Sequence, residues 1–281
     1  MSAYRFCRTD DIGLLVEALN RCWAPYYPDE PPVTPAALKR SIRDLQVWCS
    51  SCMVAFSGSD PIGVLIGAKR TCGTLIHRIA VHPDHVRQGH GGHLLESLAS
   101  KLAILGPPRI VAEVPDSHEA ARALFTAGGY VEEAVLTDYV LEQEPAVGEE
   151  LPGRLVIPVT VDDLAANGLL EADTGAVCWQ RSVETLMARK DGIAGLAVAS
   201  DESIEACILY IEDGEVVMLR SFFADAGARL KLLVSRLRRA GLQTLRIPKV
   251  HETESAASRL AALGFRDAGT YRLYAKMAGA S

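Results

Sequence analysis

Apolar positions change their spacing several times along this chain, and each change marks an element. Residues 74–81, Thr-Leu-Ile-His-Arg-Ile-Ala-Val, read as a buried strand. His82-Pro83-Asp84 stops it, because proline brings no N–H to a sheet ladder and biases the residue before it towards extended geometry. Leu94, Leu95, Leu98, Leu102 and Leu105 then recur at helical spacing. Between strand and helix lies Arg87-Gln88-Gly89-His90-Gly91-Gly92, so the glycines sit at a helix N-terminus.

The elements on either side are read in the same way. Residues 6–11 close a first strand on a Thr/Asp helix cap, and Ile12, Leu15, Val16 and Leu19 predict a helix to about Asn20. A second helix over residues 35–47 takes Thr34 as its cap and Pro35 in its first turn. Residues 53–56 and 62–67, joined by Ser57-Gly58-Ser59-Asp60-Pro61, predict a hairpin. Gly106-Pro107-Pro108 breaks the chain before a strand at 109–114. Pro115-Asp116-Ser117-His118 caps another helix, and residues 137–142 are expected to supply the last strand of a first domain.

Residues 143–153, rich in Glu, Pro and Gly, read as a linker, and beyond it the order repeats. Residues 158–164 echo 6–12, residues 196–210 echo the hairpin, and residues 215–223 echo the strand before the glycine loop. Arg229 to Ala240 echoes the long helix and residues 245–250 the strand after it. A repeat of this length implies duplicated domains, 1–145 and 154–281, rather than a solenoid. From Gly73 to Gly129 is 56 positions and from Gly214 to the matching Gly264 only 50. The shortfall falls at residues 224–228, where the second copy lacks the glycine loop.

Composition narrows the partners. A chain of 281 residues is long for one domain and comfortable for two. Its formal charge of −6 argues against a nucleic-acid-binding surface and favours a cationic acceptor. Seven cysteines do not make a disulfide framework and suit a reducing compartment; Cys49-Ser50-Ser51-Cys52 has no second pair to complete a zinc site. No apolar run approaches the roughly twenty residues that span a bilayer, and the start lacks a signal-peptide core, so no membrane partner and a cytoplasmic location are expected.

A helix N-terminus offers unpaired N–H groups and partial positive charge, and glycines admit phosphates close to the backbone, which points to a pyrophosphate ligand. A Walker loop would end in Gly-Lys-Ser/Thr, and a dinucleotide fingerprint would need glycine at Leu94; neither fits. Val81-His82-Pro83 followed by Val86-Arg87-Gln88-Gly89-His90-Gly91 resembles the signature Q/R-x-x-G-x-G/A of the GNAT N-acetyltransferase superfamily, with Val86 in place of Gln or Arg. Ala121-x-x-Leu124-Phe125-x-x-x-Gly129-Tyr130 is similar to a second family segment, with Phe125 where tyrosine is common and His118 where asparagine is.

The resemblance implies an α/β (α+β) chain of two tandem GNAT-like acyl-CoA acyltransferase domains, each a mixed, mostly antiparallel sheet flanked by helices. The first would be catalytic and the second degenerate, retained to enclose the acceptor site or to form a homodimer interface. It also implies that acetyl-CoA is the acyl donor, held by Arg87, Gln88, Gly89, His90, Gly91 and Gly92, by backbone groups of Ala80 and Val81, and by His118 and Phe125. The connection between the first two helices would line the site of a small-molecule or peptide amine, giving roles to Trp23, Tyr26, Tyr27, Asp29 and Glu30.

Amine attack on a thioester needs a base, a donor for the carbonyl oxygen and an acid for the thiolate. Glu113, among apolar neighbours in Val111-Ala112-Glu113-Val114, is the first candidate base, followed by His77 and His82; an ion pair of Glu113 with Arg78 or Arg109 is the structural alternative. Phe125 cannot serve as acid, which leaves Tyr130, Tyr139 or water. His90-x-x-His93 has no partners at ligand spacing, so no metal is expected. A non-catalytic acyl-CoA sensor is the competing function.

Overall fold

The computed structural model describes residues 2–142, 151–170, 177–255 and 257–279, so residues 143–150 of the expected linker lie outside them. In chain order come β1 (Ser2–Phe6), α1 (Ile12–Cys22), α2 (Pro35–Leu45), β2 (Met53–Ser57), β3 (Asp60–Arg70), β4 (Gly73–Val81), α3 (His90–Leu105), β5 (Arg109–Pro115), α4 (Glu119–Ala127) and β6 (Val131–Leu141). The repeat follows as β7 (Leu155–Pro158), α5 (Val161–Ala166), α6 (Val183–Arg189), β8 (Ala194–Ala199), β9 (Ile204–Tyr210) and β10 (Val216–Ser221). It closes with α7 (Ala228–Arg239), β11 (Leu245–His251), α8 (Ala257–Ala262) and β12 (Arg266–Met277).

Two compact units result, Met1–Glu133 with Arg272–Ser281, and Ala134–Tyr271. The strand expected to finish the first domain therefore finishes the second. Leu141 faces Leu245 and Tyr139 faces Ile247 in antiparallel register, and both β6 side chains join the core of Leu230, Leu233, Leu237 and Phe265. The first unit takes its last strand from the end of the chain: residues 272–277 of β12 lie beside β5, and Tyr274 enters its core.

In the first unit the sheet order is β1-β2-β3-β4-β5-β12. Its core is the seam between the sheet and α3, where Leu94, Leu95, Leu98 and Leu102 meet Met53, Leu65, Ile76, Ile110 and Ala112. Each buried leucine there stabilises the unit by about 2 kcal/mol. Leu105, on the same spacing, is 68% exposed because the helix ends with it at Gly106. Thr34 caps α2 as expected, accepting the Ala37 N–H at 3.1 Å. Asp11 precedes α1 without capping it; its carboxylate turns back to the Arg8 N–H and the Arg5 guanidinium.

In the second unit β10-β9-β8-β7 form an antiparallel sheet, and β11 pairs with β6. Thr160 and Asp163 cap α5 reciprocally, the Thr160 Oγ1 accepting the Asp163 N–H and the Asp163 carboxylate accepting the Thr160 N–H.

Candidate active site

In the first unit β4 and β5 are parallel and pair at Thr74–Ile110 and Leu75–Val111. On the other side of β4, Ile66 faces Arg78 while Gly67 faces Ile76, which leaves His77 as the extra residue of a β-bulge. A bulge bends its strand, and pairing with β3 resumes beyond it. Among the described residues β4 and β5 are not paired past Leu75–Val111, so residues 76–81 and 112–115 leave an opening beside the strand predicted to carry the chemistry.

Backbone groups facing that opening follow from antiparallel alternation. The His82 N–H donates to the Ile62 carbonyl at 2.9 Å, which makes Ile62–His82 a hydrogen-bonded pair, Gly63–Val81 a non-bonded pair and Val64–Ala80 a bonded one. The main chain of Ala80, expected to serve the thioester, is turned to β3. Val81 presents its N–H and C=O on the β5 side, and its carbonyl accepts the Tyr26 hydroxyl at 2.7 Å.

The loop after β4 delivers the chain to α3. The first intrahelical bond is His93 N–H to the Gly89 carbonyl, so the N–H groups of His90, Gly91 and Gly92 have no intrahelical acceptor. Gly89 has φ +88° and supplies no side-chain cap. Arg87 has φ +62°, a left-handed conformation carried by a non-glycine residue. A Cβ at Gly92 would meet nothing within 4 Å, whereas one at Gly91 would lie 3.1 Å from Leu124. Gly92 therefore leaves room for a ligand, and Gly91 lets α3 approach α4. Gln88 closes the loop on the Asp84 carbonyl at 3.4 Å. The His90 ring is buried, with Nδ1 2.6 Å from the Tyr4 hydroxyl, which leaves its main chain as the part available to a phosphate.

The corresponding start of α7 in the second unit is filled. Gly227 again has a left-handed φ, +87°, but Asp225 accepts the N–H groups of Gly227 and Arg229 at 3.0 and 2.9 Å. The Arg229 guanidinium pairs with Asp225 and with Glu205, which also takes Arg154. Hydrogen bonds to these arginines hold the Glu205 carboxyl below the usual glutamate range.

Between α1 and α2 the chain crosses the opening of the first unit. Tyr26 holds Val81 at the end of β4, and the Tyr27 hydroxyl lies 3.0 Å from Nδ1 of His118, the residue preceding α4. Trp23 stacks on Tyr27, ring centres 4.4 Å apart, and donates its Nε1 N–H to Glu30 at 3.3 Å. Glu30 also lies 3.8 Å from Arg78, so the expected acidic wall is already part-neutralised; Asp29 is exposed. Burial raises the Tyr26 hydroxyl above the ordinary phenol range.

Residues 14–130 match the acetyltransferase (GNAT) family. The match covers less than half of the chain, and over that stretch the chain is similar to the family. Similar solved structures include a tandem GNAT protein from the clavulanic acid biosynthesis pathway, at 16% identity and TM-score 0.69, with all of both chains covered. A GCN5-related N-acetyltransferase from Sphaerobacter thermophilus aligns at 14% identity and TM-score 0.70, over 98% of this chain and 95% of that one. Another from Anabaena variabilis aligns at 10% identity and TM-score 0.67, over 99% and 73%. These likenesses show the tandem GNAT fold. No curated protein sequence matches the chain.

The acid–base candidates divide by burial. Glu113 is half-buried on β5, the strand bordering the opening. Of the two arginines named as alternatives for it, Arg109 pairs with Glu133, and Arg78 lies 3.8 Å from Glu30. His77 is half-buried at the bulge, and the His82 Nδ1 accepts the Asp84 N–H at 3.3 Å. Phe125 is a core side chain, 2% exposed, stacked on Tyr274 and edge-on to Tyr130. Tyr130 shares that core; its hydroxyl has no hydrogen-bond partner among the described residues, and burial, with Glu96 adding to it, raises its pKa. Tyr139 belongs to the core of the second unit.

Sequence reasoning passed over Tyr4, which clamps His90, and Asp225, which caps α7. The Asp-x-Gly spacing ahead of α7 carried the second signal. Among the described residues no group of three His, Cys, Asp or Glu is placed to hold a metal, and no helix is long and apolar enough to cross a membrane.

Proposed function

We propose that this chain is an acetyl-CoA-dependent N-acetyltransferase acting on a primary amine, with its one cofactor site in the first unit. The observation that carries the reading is the alignment, along one stretch of chain, of a parted β4–β5 pair with an uncapped glycine-rich helix start. Members of the family use acetyl-CoA as acyl donor, and the start of α3 has the open space and the donors that its pyrophosphate requires.

Acetyl-CoA would supply a thioester. The N–H groups of His90, Gly91 and Gly92 bind the pyrophosphate, with Arg87 beside it. The Val81 N–H meets the thioester carbonyl oxygen as that oxygen gains charge. Glu113 takes the proton that the amine nitrogen loses as it bonds to the acetyl carbon, directly or through water. The carbon–sulfur bond breaks, and the thiolate takes its proton from water, since Tyr130 lies in the core and Phe125 has no proton to give. The second unit is a degenerate copy whose helix start is occupied by Asp225.

Release of coenzyme A thiol with a panel of polyamines, amino acids, aminoglycosides and peptides tests the reading. Glu113→Gln is expected to lower kcat at least tenfold with acetyl-CoA affinity unchanged, as for a base acting in the transition state. Tight acetyl-CoA binding with no thiol release from any acceptor would favour the sensor function instead.

A further inference from the structure

Arg78 follows the bulge residue on β4 and is 26% exposed at its side chain. Its guanidinium carbon lies 5.0 Å from the centre of the Trp23 ring, in the connection that crosses the opening. Burial lowers its pKa, with Glu30 opposing that shift. Among the described residues none accepts a hydrogen bond from this guanidinium. Its anionic neighbour, Glu30, stands at 3.8 Å, beyond hydrogen-bond reach, and already takes the Trp23 N–H. A half-desolvated cation with five donors and no acceptor is an arrangement that a second molecule completes. The settled arginines of the same unit differ: Arg272 makes two bonds to Asp116 and one to Glu132.

We propose that Arg78 receives a carboxylate of the acceptor, so that the amine being acetylated belongs to a small amino-carboxylate. Guanidinium and carboxylate match as a planar, two-bond pair, and Trp23 fixes the cation from one face while its edge stays open. Along β4, Arg78 precedes Val81 by three residues, a separation on the order of 10 Å. An acceptor reaching from Arg78 to a thioester at Val81 carries its carboxylate and its amine within that span, as amino acids and short peptides do. Glu30, the nearest anion, swings aside when the acceptor binds. The proposal rests on the acetyltransferase reading and narrows its acceptor.

The test compares acceptors in matched pairs, each amino-carboxylate against its primary amide, on the full chain. Wild type is expected to show a KM at least tenfold lower for the carboxylate member. Arg78→Gln is expected to erase that ratio by raising the carboxylate KM, with the Kd for acetyl-CoA within about twofold of wild type. Arg78→Lys keeps the charge without the paired geometry and is expected to fall between them, which guards against a folding defect in the first variant. Equal KM values within the pairs for wild type, or a preference that survives Arg78→Gln, would overturn the proposal. Should no acceptor release thiol, the acetyltransferase reading fails on its own, and thermal-shift titration with the same pairs decides this one. Stabilisation of wild type but not of Arg78→Gln by the carboxylate members sustains it, and no difference between members overturns it.

Discussion

Asp225 accepts the backbone N–H of Arg229 at 2.9 Å and so puts a carboxylate at the start of α7, while α3 has no acidic residue in its first turn. An internal anion thus sits in the second unit where the first offers N–H groups to an external one. One acetyl-CoA per chain is the expected stoichiometry by calorimetry, and two equivalent sites would contradict it. Gly92→Asp should abolish binding with little change in Tm, because a side chain there meets open space. Gly91→Asp is the poorer probe, since its Cβ would press on Leu124 and disturb the α3–α4 contact.

Arg87 supplies a second test, because its charge and its backbone pull in opposite directions. At φ +62° a side chain costs about 1–2 kcal/mol, and glycine recovers most of that while losing about 0.5–1 kcal/mol of unfolded-state entropy. Arg87→Gly should therefore raise stability by roughly 0.5–1 kcal/mol, read as a few degrees in Tm, and weaken acetyl-CoA binding at low salt. A variant both less stable and unchanged in affinity would show that Arg87 serves neither purpose.

The glycine loop was legible because it lies where strand spacing gives way to helix spacing, a local signal carried by adjacent residues. Arg78 was not, because what defines it is Trp23 and Glu30, brought to it by a connection some fifty positions away. Phe125 was legible as part of a family segment, but its packing between Tyr274 and Tyr130 was not, because Tyr274 comes from the far end of the chain. Residues 266–277 lie beyond the last repeated segment and carry no glycine-rich or helical signal, so nothing local told that the end of the chain completes the first unit.

Acid stability follows from Asp116 at the end of β5. Hydrogen bonds from Arg272, with the charges of Arg272 and Arg122 assisting, hold its carboxyl below the usual aspartate range. A folded-state pKa lowered in this way adds stability that is present above the unfolded value, near 4, and is lost as pH falls through the folded one. The Tm of the wild type should thus drop on acidification below about pH 4. Asp116→Asn should have a lower Tm at pH 7 and a flatter profile from pH 5 to 3. Parallel profiles would show that Asp116 contributes nothing to the acid limb.

The last expectation concerns a chain ended after Glu144. Such a chain keeps the glycine loop and the residue 121–130 segment but loses residues 272–279, and with them the strand beside β5, the Tyr274 ring in the core and both Arg272 bonds to Asp116. Removing one aromatic core side chain costs about 3–5 kcal/mol, a large part of a domain's stability, and an unpaired β5 edge invites aggregation. The shortened chain should be insoluble or unfolded, with no acetyl-CoA binding by calorimetry. Joining residues 266–279 to residue 133 through a flexible Gly/Ser linker should restore a soluble, binding-competent unit, because the missing strand is then supplied in covalent reach. A chain ending at Glu144 that is monomeric, stable and as active as the full protein would refute this account of how the first unit is closed.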